Sequence, residues 1–341
     1  MTGPELIGFI KNYAEAVGAP VHAGTTVTAV RQADDGYEVV TDQGTWGCRS
    51  VVLAGGACNL PSIPEFAAAL PAGVEQVNAL EYRNPDQLAE GGVLVVGAAA
   101  TGIQLAEEIH GSNRPVTLSL GEHVRMPRTY RGRDIQHWMD AVGRLDEQYD
   151  EVDDILKARK VASPQLVGTP EHRTLDLNSL TTAGVQLRGR LGTVRDGIAM
   201  FSGGLRNHTA LADQKLGRLL DEFDKWITGH DLDGDVGPVT RYEPTRVERG
   251  APLTSDLGRG EIKTVVWATG FHPDLSWVDL PVFDADGRLR HDGGVVSAPG
   301  VYFLGASFLR RRRSSFIHGA ADDSRDLADH MVGYLADQLR E

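Results

Sequence analysis

Apolar positions recur at two different spacings along the first sixty residues. Within residues 5–17 the spacing is three or four, which predicts a helix whose apolar members are Leu6, Phe9, Ile10, Tyr13 and Val17. From Val21 onward, short apolar runs alternate with the turn signals DDG and DQG, and they predict a small β-meander through VTAV, YEVV and SVVLAGG. Pro61 and Pro64 deny further ladder hydrogen bonds, so we expect a linker there.

The pattern then changes to a strand, a helix and a second strand within about 30 residues, the length of one βαβ unit. VLVV starts it at Val93, and VTLSLG closes it. Further along, helical periods predict helices within residues 140–160 and 211–227 and a terminal helix over 326–339. IKTVVWATGF and VYFLGA are apolar runs that predict two more strands.

The sequence GAAATG, residues 97–102, lies between the strand VLVV and the helix that follows. In the GxGxxG pattern the first glycine makes the tight turn, the second small residue admits pyrophosphate, and the last glycine lets helix and strand pack closely. Ala99 replaces the second glycine, which narrows the approach without closing it. The helix N-terminus also favours phosphate. Dinucleotide binding is predicted for Gly97, Ala98, Ala99, Ala100, Thr101 and Gly102; the alternative is a structural turn of small residues.

The end of the second strand selects the dinucleotide, because an acidic residue there holds an NAD ribose whereas an arginine favours a 2′-phosphate. Ser119 takes the early position and Glu122 follows it. Arginines then crowd the segment, at Arg125, Arg128, Arg131 and Arg133. Their density in an acidic protein predicts NADPH, with Ser119, Arg125 and Arg128 as ligands. A solvated loop whose arginines pair with nearby carboxylates is the alternative.

Composition excludes several other classes of protein. The formal net charge of −13 gives no general attraction for nucleic acid or anionic lipid. The sequence has no apolar run of about 18 residues and no signal-peptide pattern at its start, so we expect a cytoplasmic protein without a membrane partner. Two cysteines, Cys48 and Cys58, predict neither a disulfide framework nor a zinc site. The remaining histidine and serine spacings match no metal or hydrolase motif.

Four segments in order resemble the flavin-containing and Baeyer–Villiger monooxygenase superfamily, particularly its smaller bacterial FAD/NAD(P)-dependent members. They are VVLAGGACNLPSIP, GVLVVGAAATGIQLAEEI, VVWATGFHPDLSWVDLPVFDADGRLR and PGVYFLGASFLRRRRSSFIHG. The resemblance covers nearly the whole chain and is loosest over residues 134–245. It implies an α/β flavoprotein with two dinucleotide-binding domains, in which a Rossmann-type NADPH domain is inserted in a discontinuous FAD lobe.

By this resemblance, residues 1–64 and 250–341 form the FAD-binding lobe, and residues 65–249 form the NADPH domain with a helical insertion. Gly56 and Gly270 mark the crossings between the two, and Gly305 lies on the flavin side; plain strand ends are the alternative reading of these glycines. His272 and His318 lie near the flavin or are structural histidines. The run of arginines at 310–313 follows the FAD site or is a solvated charge run.

Two departures from the superfamily pattern limit what the resemblance implies. A strand with the GxGxxG that binds FAD normally begins these enzymes, and none precedes Gly97, so the FAD lobe is expected to be truncated at its N-terminus and its FAD contacts weak. The monooxygenase signature also has a histidine four residues before an aromatic, and here Asn78 and Tyr82 take those places.

The expected function is that of an NADPH-dependent flavoprotein oxidoreductase acting on a small molecule, monooxygenase-like, in which NADPH passes hydride to FAD and the flavin then reacts with O2. The missing histidine leaves open an NADPH-dependent reductase that inserts no oxygen. The missing FAD turn leaves open a non-catalytic dinucleotide-binding remnant. No side chain is assigned as a catalytic acid or base, and neither the substrate nor the oligomeric state is indicated.

Overall fold

The computed structural model describes residues 2–169 and 171–340. In its first half the strands are β1 Val27–Ala33, β2 Gly36–Thr41, β3 Gly44–Cys48, β4 Val51–Leu53, β5 Leu60–Pro61, β6 Glu75–Asn78, β7 Gly92–Val96, β8 Val116–Ser119, β9 Thr129–Tyr130 and β10 Arg133–Asp134. The later strands are β11 Gln186–Arg188, β12 Leu191–Arg195, β13 Ile198–Phe201, β14 Thr254–Asp256, β15 Ile262–Trp267, β16 Phe271–His272, β17 Val278–Asp279, β18 His291–Asp292, β19 Val295–Val296 and β20 Val301–Phe303.

The helices differ widely in length. They are α1 Gly3–Ala16, α2 Ala100–Gly111, α3 Ile135–Ala141, α4 Ile155–Arg159, α5 Leu177–Ala183, α6 Leu205–Gly229 and α7 Ala320–Gln338, with 3₁₀ turns at Glu65–Ala69, Pro85–Gln87 and Leu257–Arg259. Within the described residues, no helix is both long and apolar enough to cross a membrane.

Two compact units divide the chain. One contains the residues up to Leu53, Leu275–Phe303 and the residues from Arg325, and the other contains Ala54–Asp274 and Leu304–Ser324. The predicted bounds differ from these, because residues 54–64, 250–274 and 304–324 group with the second unit. Part of the reason is that the two crossing segments pair with each other, β5 antiparallel to β16.

A parallel five-stranded sheet forms the centre of the second unit, in the order β11-β8-β7-β15-β6. Helix α2 connects β7 to β8, as the βαβ pattern predicts, and it begins at Ala100. Val96 pairs with Ser119, and Ser119 pairs with Arg188, so β7, β8 and β11 end in register at one edge. The loops that follow these three strands therefore start side by side.

Both faces of this sheet are covered, which is why VLVV is continuously apolar. Val93 and Val95 point into a core shared with α2 and α5, whose members include Ile103, Ala106, Ile109, Leu177 and Leu180. Leu94 and Val96 point into the opposite core, which contains Trp267 and the β12–β13 hairpin. The alternation along β7 follows the two-residue period of a strand.

A helical layer with its own core lies largely within residues 134–245, where the sequence resembles the superfamily least. Helix α6 contributes Leu216, Leu220, Phe223 and Ile227, which are spaced three or four residues apart and are buried against Trp138 and Tyr130. The Trp138 indole N–H donates to the Tyr130 carbonyl at 2.7 Å, so the buried ring keeps its hydrogen bond.

The prediction of a helix within residues 140–160 is wrong over most of its length. Helix α3 ends at Ala141, and the chain resumes helix only at α4, where the Asp154 carboxylate caps the first turn by accepting from Lys157 N at 2.9 Å. Gly143 between them adopts a φ of +75°. Asp146 and Glu147 pair with Arg313 and Arg312, so tertiary ion pairs hold this segment in turns despite its helical period.

The first unit contains two of the three strands of the predicted meander, since VTAV lies in β1 and YEVV in β2. The third predicted strand, SVVLAGG, instead forms β4 in a second sheet, and the unpredicted β3 completes the meander. Strands β1, β2 and β3 pair antiparallel, and β17 joins β1 in parallel. A second sheet has the order β18-β19-β20-β4, in which β20 and β4 are parallel. Tyr37 within the meander donates its hydroxyl to the Pro299 carbonyl. Helix α1 covers most of residues 5–17, as the period predicts, and buries none of its residues.

Candidate dinucleotide site

Gly97 begins the turn after β7, and only glycine fits at this position. Its φ is +109°, and a Cβ there would lie 2.2 Å from the Ala268 carbonyl oxygen. The backbone N–H of Gly97 donates to the Ser119 carbonyl at 2.9 Å, which continues the β7–β8 ladder by one residue. A side chain would therefore meet both an unfavourable backbone conformation and the end of strand β15.

Gly102 brings helix α2 directly against this turn. A Cβ at Gly102 would lie 1.8 Å from the Gly97 carbonyl oxygen, so only hydrogen fits. The N-cap residue, Ala99, offers no side-chain hydrogen bond, and the first turn carries no acidic residue. Within the described residues, the first N–H groups of α2 therefore have no side-chain cap, and no acidic residue lies in their own turn, an arrangement that suits a phosphate.

Gln165, a residue outside the βαβ unit, forms a hydrogen bond with the backbone of the turn. Gln165 is 1 % exposed and donates from Nε2 to the Ala98 carbonyl at 2.8 Å. Its Oε1 is buried without a hydrogen-bond partner. Sequence reasoning misses Gln165, since it lies in an irregular segment with no motif. The bridge between Val124 and Pro164 and the bond from Gln165 N to the Val124 carbonyl hold this segment beside the loop that follows β8.

Ser119 has a role different from the predicted one. Its side chain is buried at 1 % exposure, donates to the Gly189 carbonyl at 3.0 Å and accepts from Leu191 N at 2.9 Å. The hydroxyl thus holds the turn after β11 against the end of β8. This geometry argues against Ser119 as a direct cofactor ligand.

Arg125 and Arg128 are engaged with carboxylates. The Arg125 side chain is 5 % exposed, and its two terminal nitrogens lie 2.6 Å from Asp213 Oδ1 and 2.9 Å from Asp176 Oδ2. Arg128 pairs with Asp134 at 2.6 Å. Arg125 therefore has no free donors for a phosphate. Its ion pairs match the alternative in which the arginines of this loop pair with nearby carboxylates.

Asn78 takes the place of the superfamily's histidine and closes a turn. Its Oδ1 accepts from Leu80 N at 3.0 Å and from Glu81 N at 3.3 Å, at the end of strand β6. Tyr82 follows with its ring in the core, where burial raises the pKa of its hydroxyl to about 12. Both residues thus serve the fold in the described structure.

The three glycines that are predicted to lie on the flavin side each follow a strand and adopt a left-handed backbone conformation. Gly56, Gly270 and Gly305 have φ values of +78°, +99° and +82°, and a Cβ at each would meet no atom within 4 Å. Asn59 links the crossing segments, since its Nδ2 donates to the Gly55 carbonyl and its Oδ1 accepts from Asp274 N. Open space beside a backbone conformation that glycine adopts without strain fits a close approach by a ligand.

The remaining candidates behave as ordinary surface groups. His272 and His318 are both exposed. In the run 310–313, Arg311 pairs with buried Asp323 at 2.8 Å and Arg313 pairs with Asp322 at 2.8 Å. Arg312 pairs with Glu147, so carboxylates offset the charge of three of the four arginines and the run does not form an open basic patch.

Comparison with known proteins identifies relatives over nearly the full chain. Residues 1–161 match the family described as pyridine nucleotide-disulphide oxidoreductase. An uncharacterized CzcO-like oxidoreductase of Geobacillus kaustophilus is 28 % identical over 335 residues, which are 98 % of this chain and 79 % of that protein. The CzcO oxidoreductase of Bacillus subtilis, also uncharacterized, is 22 % identical, over 96 % of this chain and 78 % of that protein.

Solved structures show the same fold. The flavin-containing monooxygenase of Stenotrophomonas maltophilia superposes with a TM-score of 0.58 at 17 % identity, covering 97 % of this chain and 77 % of that one. A double mutant of the Stenotrophomonas flavin monooxygenase gives a TM-score of 0.60 at 16 % identity, with the same coverage. The chain therefore has the fold of flavoproteins with two dinucleotide-binding domains.

The turn at 97–102 fits the pyrophosphate of a nicotinamide dinucleotide, because its two obligatory glycines pack α2 closely against the end of β7 and the N-terminus of α2 has no side-chain cap on its N–H donors. For FAD the fit is partial. The glycines at 56, 270 and 305 leave space for the flavin side, whereas within the described residues no second GxGxxG turn offers donors to the ADP half.

Proposed function

We propose that the chain is an NADPH-dependent oxidoreductase that binds NADPH at residues 97–102. Its fold, which is that of flavin-containing monooxygenase structures, and the match of residues 1–161 to the pyridine nucleotide-disulphide oxidoreductase family support this proposal. The single observation that carries the proposal is the fit around this turn. Gly97 and Gly102 each leave no space for a Cβ, and helix α2, which contains Gly102, begins at Ala100 without a side-chain cap.

In this proposal the chain's own residues bind and orient the cofactor. The backbone N–H groups of Ala100, Thr101 and Gly102 donate to the pyrophosphate, whose negative charge the α2 dipole stabilises. Gln165 keeps the Ala98 carbonyl engaged, so the turn is formed before the cofactor arrives. When bound, NADPH supplies hydride and a flavin accepts it; we assign the flavin side to the surroundings of Gly56, Gly270 and Gly305.

Asn78 supports a second candidate, an NADPH-dependent reductase that inserts no oxygen into an organic substrate. The superfamily histidine is replaced, and the amide that replaces it is occupied by two backbone N–H groups. The two functions separate in one assay with added FAD, in which NADPH oxidation, O2 consumption and oxygenated organic product are measured together. Oxygenated product supports the monooxygenase, and oxidation without it supports the reductase.

Dinucleotide binding is tested directly by calorimetry with NADPH on the purified chain. Gly97→Val places a β-branched side chain against the Ala268 carbonyl, so we expect no measurable binding. Gly73→Val is the matched control, because Gly73 is a loop glycine with open space around its Cβ position and no positive φ. Unchanged NADPH affinity in Gly97→Val would overturn the proposed site.

A further inference from the structure

The edge where β7, β8 and β11 end in register brings one arginine to the cofactor site from a distant part of the sequence. Leu120 N donates to the Arg188 carbonyl at 3.0 Å, so the residues after β8 and those after β11 leave the sheet together. In a Rossmann fold the adenosine ribose lies at the end of the second strand, here β8. Arg190 is two residues past the end of β11, beside that position.

Three contacts hold the backbone around Arg190. The Ser119 hydroxyl bonds Gly189 and Leu191 on either side of it, and the Arg190 carbonyl accepts from Ser202 N at 2.9 Å. Gly189 itself has no room for a side chain, because a Cβ would lie 1.9 Å from the Ser202 carbonyl oxygen. The buried hydroxyl of Ser119 therefore positions an arginine, although it is itself closed to ligands.

The aliphatic part of Arg190 lies over Gly121, the second residue after β8. The Cβ position of Gly121 is 3.4 Å from Arg190 Cδ and 3.5 Å from its Cβ. Arg190 is exposed, and within the described residues its guanidinium has no hydrogen bond or ion pair. Arg188, its near neighbour, instead donates to Leu187 O and to Gln186 Oε1.

We propose that Arg190 binds the 2′-phosphate of the adenosine ribose and so selects NADPH over NADH, an assignment that rests on the proposed dinucleotide site. Its guanidinium can donate to two phosphate oxygens, and it replaces Arg125 and Arg128, each of which pairs with a carboxylate. Glu122, exposed next to Gly121, is the competing group, because a carboxylate there would favour the free ribose hydroxyls of NADH.

The test is calorimetry with NADP⁺, NAD⁺ and the fragment 2′-AMP on the unchanged chain and on Arg190→Ala. We expect NADP⁺ and 2′-AMP to bind about 10- to 100-fold more weakly in the variant, as the loss of a charge-assisted hydrogen bond implies, with NAD⁺ unchanged within about twofold. Arg195→Ala is the matched control, since Arg195 is also exposed and lies at the end of β12. Glu122→Gln should strengthen NADP⁺ binding.

Each outcome of this experiment either supports or overturns the assignment of Arg190. Retained NADP⁺ affinity in Arg190→Ala, or an equal loss in Arg195→Ala, overturns the assignment while the dinucleotide site stands. An unchanged chain that binds neither dinucleotide overturns the proposed function, and the assignment with it. A selective loss of NADP⁺ and 2′-AMP affinity in Arg190→Ala supports both.

Discussion

Gln165 Nε2 lies 2.8 Å from the carbonyl oxygen of Ala98, and this bond ties an irregular loop to the phosphate turn. Because the Gln165 side chain is buried, its amide cannot exchange that bond for one with water. The contact makes the turn's shape depend on a residue more than sixty positions away in the chain.

Replacing Gln165 by Leu should loosen the turn without unfolding the protein. The Ala98 carbonyl would lose its donor, at a cost of about 1–3 kcal/mol. We expect NADPH to bind roughly tenfold more weakly by calorimetry, with an unchanged circular dichroism spectrum. Gln43→Leu is the control, because Gln43 also donates to a backbone carbonyl, that of Gly24, but on an exposed loop. Equal affinity in the two variants would show that the contact does not shape the site.

Two glycines on helix α2 allow a comparison within one element. Gly102→Ala places a methyl group 1.8 Å from the Gly97 carbonyl oxygen, so helix and turn must separate; we expect a loss of about 1–3 kcal/mol in the free energy of unfolding. Gly111→Ala meets no atom within 4 Å and should leave stability unchanged or slightly raised. Urea unfolding of both variants measures this difference. Equal unfolding midpoints in Gly102→Ala and Gly111→Ala would contradict the close packing of α2 on its turn.

Arg125 should matter for folding rather than for cofactor binding. Its removal leaves Asp176 and Asp213 as partly buried carboxylates without their counter-ion, and removing one partner of a buried pair costs about 3–5 kcal/mol. We therefore expect Arg125→Ala to lower the unfolding temperature strongly, and Arg195→Ala to leave it in place. If Arg125→Ala unfolds like the unchanged chain yet loses NADPH affinity selectively, Arg125 is a ligand after all.

His123 should make the second unit sensitive to mild acid. Burial is the largest cause that lowers the pKa of His123 below its ordinary value of 6.5, so the folded protein disfavours the imidazolium. The unfolded chain then binds more protons, and the stability contributed by His123 is present above pH 6.5 and lost as the pH falls below it. Urea unfolding between pH 7.5 and 5 should show this fall, which His123→Asn should reduce and His318→Asn, on an exposed histidine, should not.

Local pattern alone determined the βαβ unit of this protein. Four apolar residues in a strand, small residues at 97–102 and a helical period after them identify a parallel strand, a phosphate turn and helix α2, because each of these depends on neighbours in the chain. The long helix α6 and the strands β1 and β2 follow from their own periods in the same way, whereas no period predicts β3. The resemblance to the flavoprotein superfamily adds the prediction that the fold has two dinucleotide-binding domains.

Tertiary structure decided which side chains are free to bind a ligand. Ser119, Arg125 and Arg128 follow β8 in sequence, yet burial and carboxylates from α6, the α5 N-cap and Asp134 occupy them. Arg190 and Gln165 reach the same edge from later segments through strand register and a β-bridge. Sheet register and ion pairing join residues that are far apart in the chain, so no local pattern could rank one arginine above another.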